Sequence, residues 1–267
     1  MEGLDSLMRR ASLNNWIRGF RIKNRVNEVM DMTHLLYADD TIIFCEAEQE
    51  QLYHIRIILI QALANILKCK IERLPTVYLG LPLGAKHKAV SIWDGVLEKS
   101  ERRLALWKSQ YLSLGGRVTL INSVLDSLPT YVMPLFPIPG KVVKAIDSLR
   151  RNFLWQGNKI EKSYNLVKWM AVQQSKRFGG LGVRNLKIHN NNLLTKWLWR
   201  YNLEDQALWK ELIQHKYGQE DQWCSEEVTE TYGVGVWRTI RNLWLAFRDN
   251  VRIKVGQGNK ALFWKEN

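Results

Sequence analysis

Two neighbouring carboxylates, Asp39 and Asp40, are the side chains of this sequence with the clearest capacity for chemistry. Apolar and β-prone residues on both sides, over residues 34–45, predict two short buried strands joined by a tight turn. Like charges about 4 Å apart repel by roughly 4 kcal/mol at an effective dielectric of about 20, so the pair is strained without a cation. Mg²⁺ takes oxygen ligands and substrate phosphates, so the pair predicts phosphoryl or nucleotidyl transfer, with both aspartates as catalytic metal ligands.

The same two aspartates also have a purely structural interpretation. Asp-Asp is common in surface turns between strands, so the four residues from Tyr37 to Asp40 indicate only a hairpin when taken alone. The longer segment, residues 34–45, resembles the catalytic hairpin of reverse transcriptases. That resemblance favours the catalytic interpretation.

A long helix and a short strand are predicted after the hairpin. Apolar residues at helical spacing over residues 48–67 predict a helix whose stripe, including Ile55 and Ile58, packs across the back of the strands. Prolines and glycines then bracket a short strand within residues 75–84.

The rest of the chain has mainly helical periodicity. Residues 89–157 predict three helices with short links, typical of a bundle, with a break at Gly115 and Gly116. Val142, Ile146, Leu149 and Phe153 define the third of these helices. A glycine-rich turn over residues 176–182 lacks the Lys-Ser or Lys-Thr of a phosphate loop, so we interpret it as structural.

The charge of the chain predicts a polyanionic partner. It has 39 Lys and Arg against 26 Asp and Glu, a net charge of +13. A positive charge of that size attracts polyanions, and nucleic acid is the leading candidate. Twelve Trp and nine Tyr add flat surfaces on which bases stack, although most of these rings should lie in the core.

Cysteine spacing and hydropathy indicate the cellular compartment of the protein. Cys45, Cys69 and Cys224 are far apart and lack metal-site spacing, which fits a reducing compartment. No apolar run has the length of a membrane span, and residues 1–10 do not resemble a signal peptide. We therefore expect an intracellular protein, nuclear or cytoplasmic, with no membrane association and no obvious protein partner.

Taken together, the motifs resemble the C-terminal part of a reverse transcriptase from a plant non-LTR retrotransposon of the LINE type. The matching pieces follow the family order: residues 1–4, the hairpin at 34–45, Tyr78-Leu79-Gly80, and later short matches up to residue 199. The resemblance implies an α+β fold. A partial right-hand polymerase palm would occupy residues 1–86, a helical thumb 87–157, and a helical extension 158–267 that stops before a zinc-binding-like region.

The resemblance also implies an activity and a cofactor. The family performs RNA-directed DNA synthesis, joining a nucleotide to a primer 3′ hydroxyl with Mg²⁺ on an RNA template. Carried over by position, Asp39 is the main metal ligand, Asp40 supports it, and Tyr37 lies beneath the primer terminus.

Further residues are implied to contact the RNA template and the DNA primer. Tyr78, Leu79 and Gly80 would hold the primer strand, and Lys108 and Arg117 would bind the duplex backbone. A solvated helix face explains Lys108 and Arg117 equally well.

Departures from the family pattern predict that this chain alone is inactive. The third metal-binding aspartate and the fingers would lie upstream of Met1, and a palm segment after residue 61 is missing. Two alternatives follow: a non-catalytic basic nucleic-acid-binding module, or a decayed retroelement product without a selected role.

Overall fold

The structure is a computed structural model, and its described residues contain ten α-helices and three short antiparallel sheets. The α+β prediction is therefore confirmed at that level. The described residues are 2–23, 29–37, 40–46, 48–63, 75–106, 112–155, 167–220, 223–229 and 235–252. The chain divides into two units, and the predicted domain boundaries after residues 86 and 157 stay predictions. Unit 1 comprises Met1–Glu72 and Glu204–Asp221, and unit 2 comprises Arg73–Leu203 and Gln222–Asn267.

The described residues of unit 1 form two hairpins and three helices. Its elements are α1 Glu2–Leu13, β1 Phe20–Lys23, β2 Val29–Met32, β3 His34–Tyr37, β4 Asp40–Ile43, α2 Gln49–Leu63 and α8 Leu208–Tyr217. Strand β1 pairs antiparallel with β2, and β3 pairs antiparallel with β4, with Tyr37 opposite Asp40.

The core of unit 1 lies between α1, α2 and the second hairpin. Met8, Ala11, Ile17 and Ile58 are buried together, and Ile43 and Ile55 pack against them among other apolar residues. The apolar stripe predicted for the long helix is thus confirmed at Ile55 and Ile58.

The described residues of unit 2 are mainly helical and include one small hairpin. Strand β5 (Thr76–Tyr78) pairs antiparallel with β6 (Leu81–Leu83), and the turn between them consists of Leu79 and Gly80. The elements are β5 Thr76–Tyr78, β6 Leu81–Leu83, α3 Asp94–Leu106, α4 Leu114–Leu120, α5 Gly140–Trp155, α6 Trp169–Gln173, α7 Leu186–Leu203, α9 Trp237–Arg241 and α10 Trp244–Asp249.

Two apolar clusters lie among the described residues of unit 2. One contains Trp93 and Met133 with Val142 and Ile146 of α5. The other contains Ile121 and Leu125 with Phe153 and Leu154 near the end of α5, and with Val172 and Val183. Helix α5 therefore contributes to both clusters along the stripe predicted from Val142, Ile146 and Phe153.

The predicted break at Gly115 and Gly116 is wrong, because both glycines lie in the first turn of α4. The hydroxyl of Ser113, just before the helix, accepts a hydrogen bond from the Gly116 N–H at 3.2 Å. This cap satisfies a helix-end donor that would otherwise have no partner, and so offsets the poor helix propensity of the glycines. The helix continues into a π-helical turn at Ile121–Leu125.

No helix among the described residues is long and apolar enough to cross a membrane.

Candidate functional site

The two strands of the acidic hairpin pair as predicted, but the prediction that they are buried is wrong. Residues 34–36, 42 and 43 are half-buried, and Thr41 is exposed. Strands β3 and β4 pair so that Tyr37 lies opposite Asp40, and the structure describes the backbone of both residues. Asp39 lies outside the described residues, and the side chains of Tyr37 and Asp40 are not described. Within the described parts of the chain, no group of three or more His, Cys, Asp or Glu could hold a metal ion. The metal-binding and catalytic roles of these aspartates therefore stay predictions.

The base of this hairpin has a polar contact that the sequence interpretation missed. His34 Nε2 lies 2.8 Å from Asp5 Oδ1 of α1, and His34 Nδ1 lies 3.0 Å from the hydroxyl of Thr33. The hydrogen bond from His34 is the main reason that the pKa of Asp5 lies below its ordinary range. In sequence Asp5 and His34 are 29 residues apart, so spacing gave no signal of the contact.

The β5–β6 hairpin places Tyr78, Leu79 and Gly80 at one exposed tip. Leu79 and Gly80 have φ angles of 50° and 75°, as a type I′ turn requires. Tyr131 fixes the tip, because its hydroxyl donates to the Leu79 carbonyl oxygen at 2.5 Å. The Leu79 side chain is 55% exposed. A nucleic-acid contact at this tip stays a prediction.

Arg117 has a structural contact. It is partly buried in α4, and its Nη1 donates to the carbonyl oxygen of Leu154 at 3.1 Å, which connects α4 to the end of α5. Lys108 lies outside the described residues. Binding of nucleic acid by either side chain stays a prediction.

Unit 2 has an open cleft that sequence reasoning did not locate. Its volume is about 660 Å³. The described residues that line it include three cations and no acid, so the charges of the lining itself attract an anion. The lining consists of Asn122, Gln173, Ser175, Lys176, Arg177, Gly182, Val183, Arg184 and Asn185.

One wall of the cleft is the glycine-rich turn. The Gly180 N–H donates to the Ser175 carbonyl oxygen at 3.2 Å, and the Gly182 N–H donates to the Gln174 carbonyl oxygen at 2.9 Å. Gly179 has a φ of 81°, which favours glycine. A Cβ on Gly180 would lie 2.1 Å from the Gln174 oxygen, so this backbone approach needs glycine.

The glycine-rich turn presents three side chains to solvent. Lys176, Arg177 and Phe178 form a 3₁₀ turn, and all three are exposed. Phe178 is 79% exposed. The structural interpretation of the glycines agrees with their contacts, but the sequence did not indicate that they support a basic, aromatic tip.

The backbone of Arg184, which also lines the cleft, is fixed by a buried ion pair. Asp126 and Arg150 have fully buried side chains, and the Arg150 guanidinium donates to Asp126 and to Asp147. Arg150 Nη1 also donates to the Arg184 carbonyl oxygen at 3.0 Å, and the Arg184 N–H donates to Asp126 at 3.4 Å. The Arg184 backbone is therefore held on both sides by the buried pair.

Burial and positive charge perturb the titration of groups near this wall. Burial raises the pKa of Asp126 above its ordinary value, and the charge of Arg150 opposes that effect. The pKa of His189 is lowered, first by burial and then by the charges of Arg184, Lys196 and Arg150. Burial is the larger cause of the His189 shift, and the three positive charges lower its pKa in the same direction.

Two plant proteins are similar to this chain. A 195-residue segment, 70% of the chain, is 33% identical to an Arabidopsis thaliana protein named "Putative ribonuclease H protein", and the chain spans 30% of that protein's length. A 140-residue segment, 48% of the chain, is 27% identical to an uncharacterized mitochondrial protein of Arabidopsis thaliana and spans 89% of it. No protein-family model matches the chain.

These relatives contradict the assignment to reverse transcriptases. Neither is named a reverse transcriptase, and the longer match is to a protein named for ribonuclease H. The LINE-type recognition and the main functional prediction, RNA-directed DNA polymerisation, are therefore wrong. The hairpin motif misled because a short acidic turn on apolar strands is a local pattern that does not specify a reaction. The palm and thumb partition depended on the same resemblance and has no other support.

Proposed function

We propose that this chain is a non-catalytic nucleic-acid-binding module and that the cleft of unit 2 is its binding surface. The observation that carries the proposal is the cleft itself, which has Lys176, Arg177 and Arg184 in its lining and an exposed aromatic ring, Phe178, on the same turn. The net charge of +13 supports it. A relative named for ribonuclease H supports nucleic acid as the ligand class.

The chemistry of the lining suits phosphate binding. Lys and Arg neutralise phosphates without reading sequence, and release of counterions from the nucleic acid supplies much of the affinity. Asn122, Gln173 and Asn185 add amide groups that donate and accept hydrogen bonds. Binding of this kind needs no carboxylate and no metal ion. The tip at Tyr78, Leu79 and Gly80, together with Lys108 and Arg117, supplies further candidate contacts to the same ligand.

Removal of the two exposed cations of the turn should weaken binding. We expect the double variant Lys176→Ala, Arg177→Ala to bind a fluorescein-labelled 20-nucleotide strand about tenfold more weakly than the wild type, because each cation neutralises about one phosphate. Fluorescence anisotropy at low salt measures the dissociation constants of both proteins.

The matched control is the double variant Lys141→Ala, Lys144→Ala. Both lysines are exposed on α5 of the same unit, so the control removes the same net charge from another surface. Its affinity should stay close to the wild-type value. Equal losses in the two double variants would mean that the charge acts without a defined site, and the cleft would not be the binding surface.

Binding should not depend on the acidic hairpin or on a divalent cation. We expect the Asp39→Ala variant, and the wild type in excess EDTA, to bind the labelled strand as tightly as the untreated wild type, because Lys and Arg side chains supply the positive charge. The same anisotropy titration measures this. Loss of binding in EDTA would contradict a metal-independent module.

A further inference from the structure

Phe178 is a large apolar side chain that the fold leaves uncovered. It is 79% exposed, on a turn whose backbone is fixed by hydrogen bonds to Gln174, Ser175 and Lys176. Gly180, two residues further on, has no room for a side chain unless the backbone shifts, because a Cβ would lie 2.1 Å from the Gln174 carbonyl oxygen. The ring is therefore presented to solvent by a defined turn, and an apolar or aromatic ligand surface that covered it would gain free energy.

The charges beside the ring indicate what covers it. Lys176 and Arg177 directly precede Phe178, both are exposed, and both line the cleft. A purely apolar partner would leave these cations without a counter-charge. A nucleotide satisfies both requirements, since its phosphate is anionic and its base has a flat π-face that stacks on an aromatic ring.

We propose that Phe178 stacks on an unpaired base, so that the cleft binds single-stranded nucleic acid in preference to duplex. The proposal rests on the proposed function and specifies its ligand. In a duplex each base already lies between its neighbours, so its face is not available to the ring. In a single strand, the phosphates contact Lys176 and Arg177 while one base covers Phe178.

The test compares Phe178→Ala and Phe178→Trp with a control at another exposed apolar residue. Met170→Ala is that control, because Met170 is 80% exposed in α6 of the same unit. Each protein is titrated by anisotropy against four labelled probes: single-stranded DNA, single-stranded RNA, a duplex of the same sequence, and a DNA strand whose central positions are abasic.

We expect Phe178→Ala to bind either base-bearing single strand about tenfold more weakly than the wild type, which is the size of one base–aromatic stacking contact. Phe178→Trp should retain affinity, because an aromatic face remains, and Met170→Ala should match the wild type. On the abasic strand, the wild type and Phe178→Ala should bind equally, because the phosphates are present and the bases are not. The wild type should bind the duplex more weakly than the single strand.

The possible failures are distinguishable. If the wild type binds none of the four probes at low salt, the proposed function fails. If the wild type binds and Phe178→Ala has the same affinity as the wild type for base-bearing strands, the stacking proposal alone is overturned. The same conclusion follows if the substitution weakens binding to the abasic strand as much as binding to the base-bearing strands. A Phe178-dependent loss of equal size on the duplex also overturns it. A loss confined to RNA or to DNA supports the proposal and identifies the preferred sugar.

Discussion

The variant Arg150→Met should lower the free energy of unfolding by about 3–5 kcal/mol at neutral pH, which is the usual cost of removing one partner of a buried ion pair. Both side chains of the pair are fully buried, so Asp126 would keep its charge without its cationic partner. The Arg184 carbonyl oxygen would also lose its donor. Urea denaturation followed by circular dichroism measures the change.

The loss of unfolding free energy in Arg150→Met, relative to the wild type, should increase with pH. Burial already raises the pKa of Asp126 above 3.8, and loss of the opposing Arg150 charge raises it further. Between 3.8 and this raised pKa, the folded chain binds more protons than the unfolded chain, so stability falls as pH rises. The variant should therefore be closest to the wild type at about pH 4 and furthest from it at about pH 7.

Lys144→Met is the control for this prediction. Lys144 is exposed on the same helix, and surface changes of this kind usually alter stability by less than about 0.5 kcal/mol. If Arg150→Met falls within that range as well, the buried pair does not hold the fold. If the wild type itself shows no cooperative transition, the alternative of a decayed retroelement product is favoured.

The variant Gly180→Ala should destabilise the turn and weaken nucleic-acid binding together. The new Cβ would lie 2.1 Å from the Gln174 carbonyl oxygen, which is backbone and cannot rotate away. Overpacking of this kind costs about 1–3 kcal/mol. Because the Gly182 N–H bonds the same oxygen, opening the turn would also displace Lys176, Arg177 and Phe178. Thermal unfolding measures the first effect, and anisotropy with a labelled single strand measures the second.

Gly95→Ala provides the contrast. A Cβ at Gly95 meets no atom within 4 Å, and the residue lies near the start of α3. Alanine there should leave binding unchanged and should raise stability by up to about 1 kcal/mol, because it restricts the unfolded chain. Retention of wild-type stability and affinity by Gly180→Ala would show that the turn does not position the cleft.

Local patterns predicted the elements but not the contacts between them. Apolar spacing predicted the β3–β4 hairpin and the burial of Val142, Ile146 and Phe153. Such spacing describes a single helix or strand and carries no information about which elements pack together. The Asp126–Arg150 pair joins side chains 24 residues apart, one just after the π-helical turn and one in α5, and no spacing pattern indicates that they meet. The break at Gly115 and Gly116 was predicted from the low helix propensity of glycine. The helix forms there because the Ser113 side chain caps its first turn, and this contact was not read from the sequence.

The same limit explains how the candidate site was missed. The excess of basic residues predicted a polyanionic partner, but composition does not specify a surface. The cleft brings together Asn122 from the π-helical turn and eight residues between positions 173 and 185, which follow α5 in the sequence. No motif spans that separation. The glycine-rich turn was identified as structural, and its exposed Phe178 became visible only with the fold.

The salt dependence of binding tests the central claim most directly. The association constant for a labelled single strand is measured at several salt concentrations, and its logarithm is plotted against the logarithm of the salt concentration. Three proteins are compared: the wild type, the double variant Lys176→Ala, Arg177→Ala, and the double variant Lys141→Ala, Lys144→Ala. Loss of two phosphate contacts should make the slope for Lys176→Ala, Arg177→Ala shallower than the wild-type slope by about 1.4, at about 0.7 per contact for single strands. Lys141→Ala, Lys144→Ala should give a line parallel to the wild type. A wild-type affinity independent of salt, or equal slopes for all three proteins, would contradict nucleic-acid binding by this cleft.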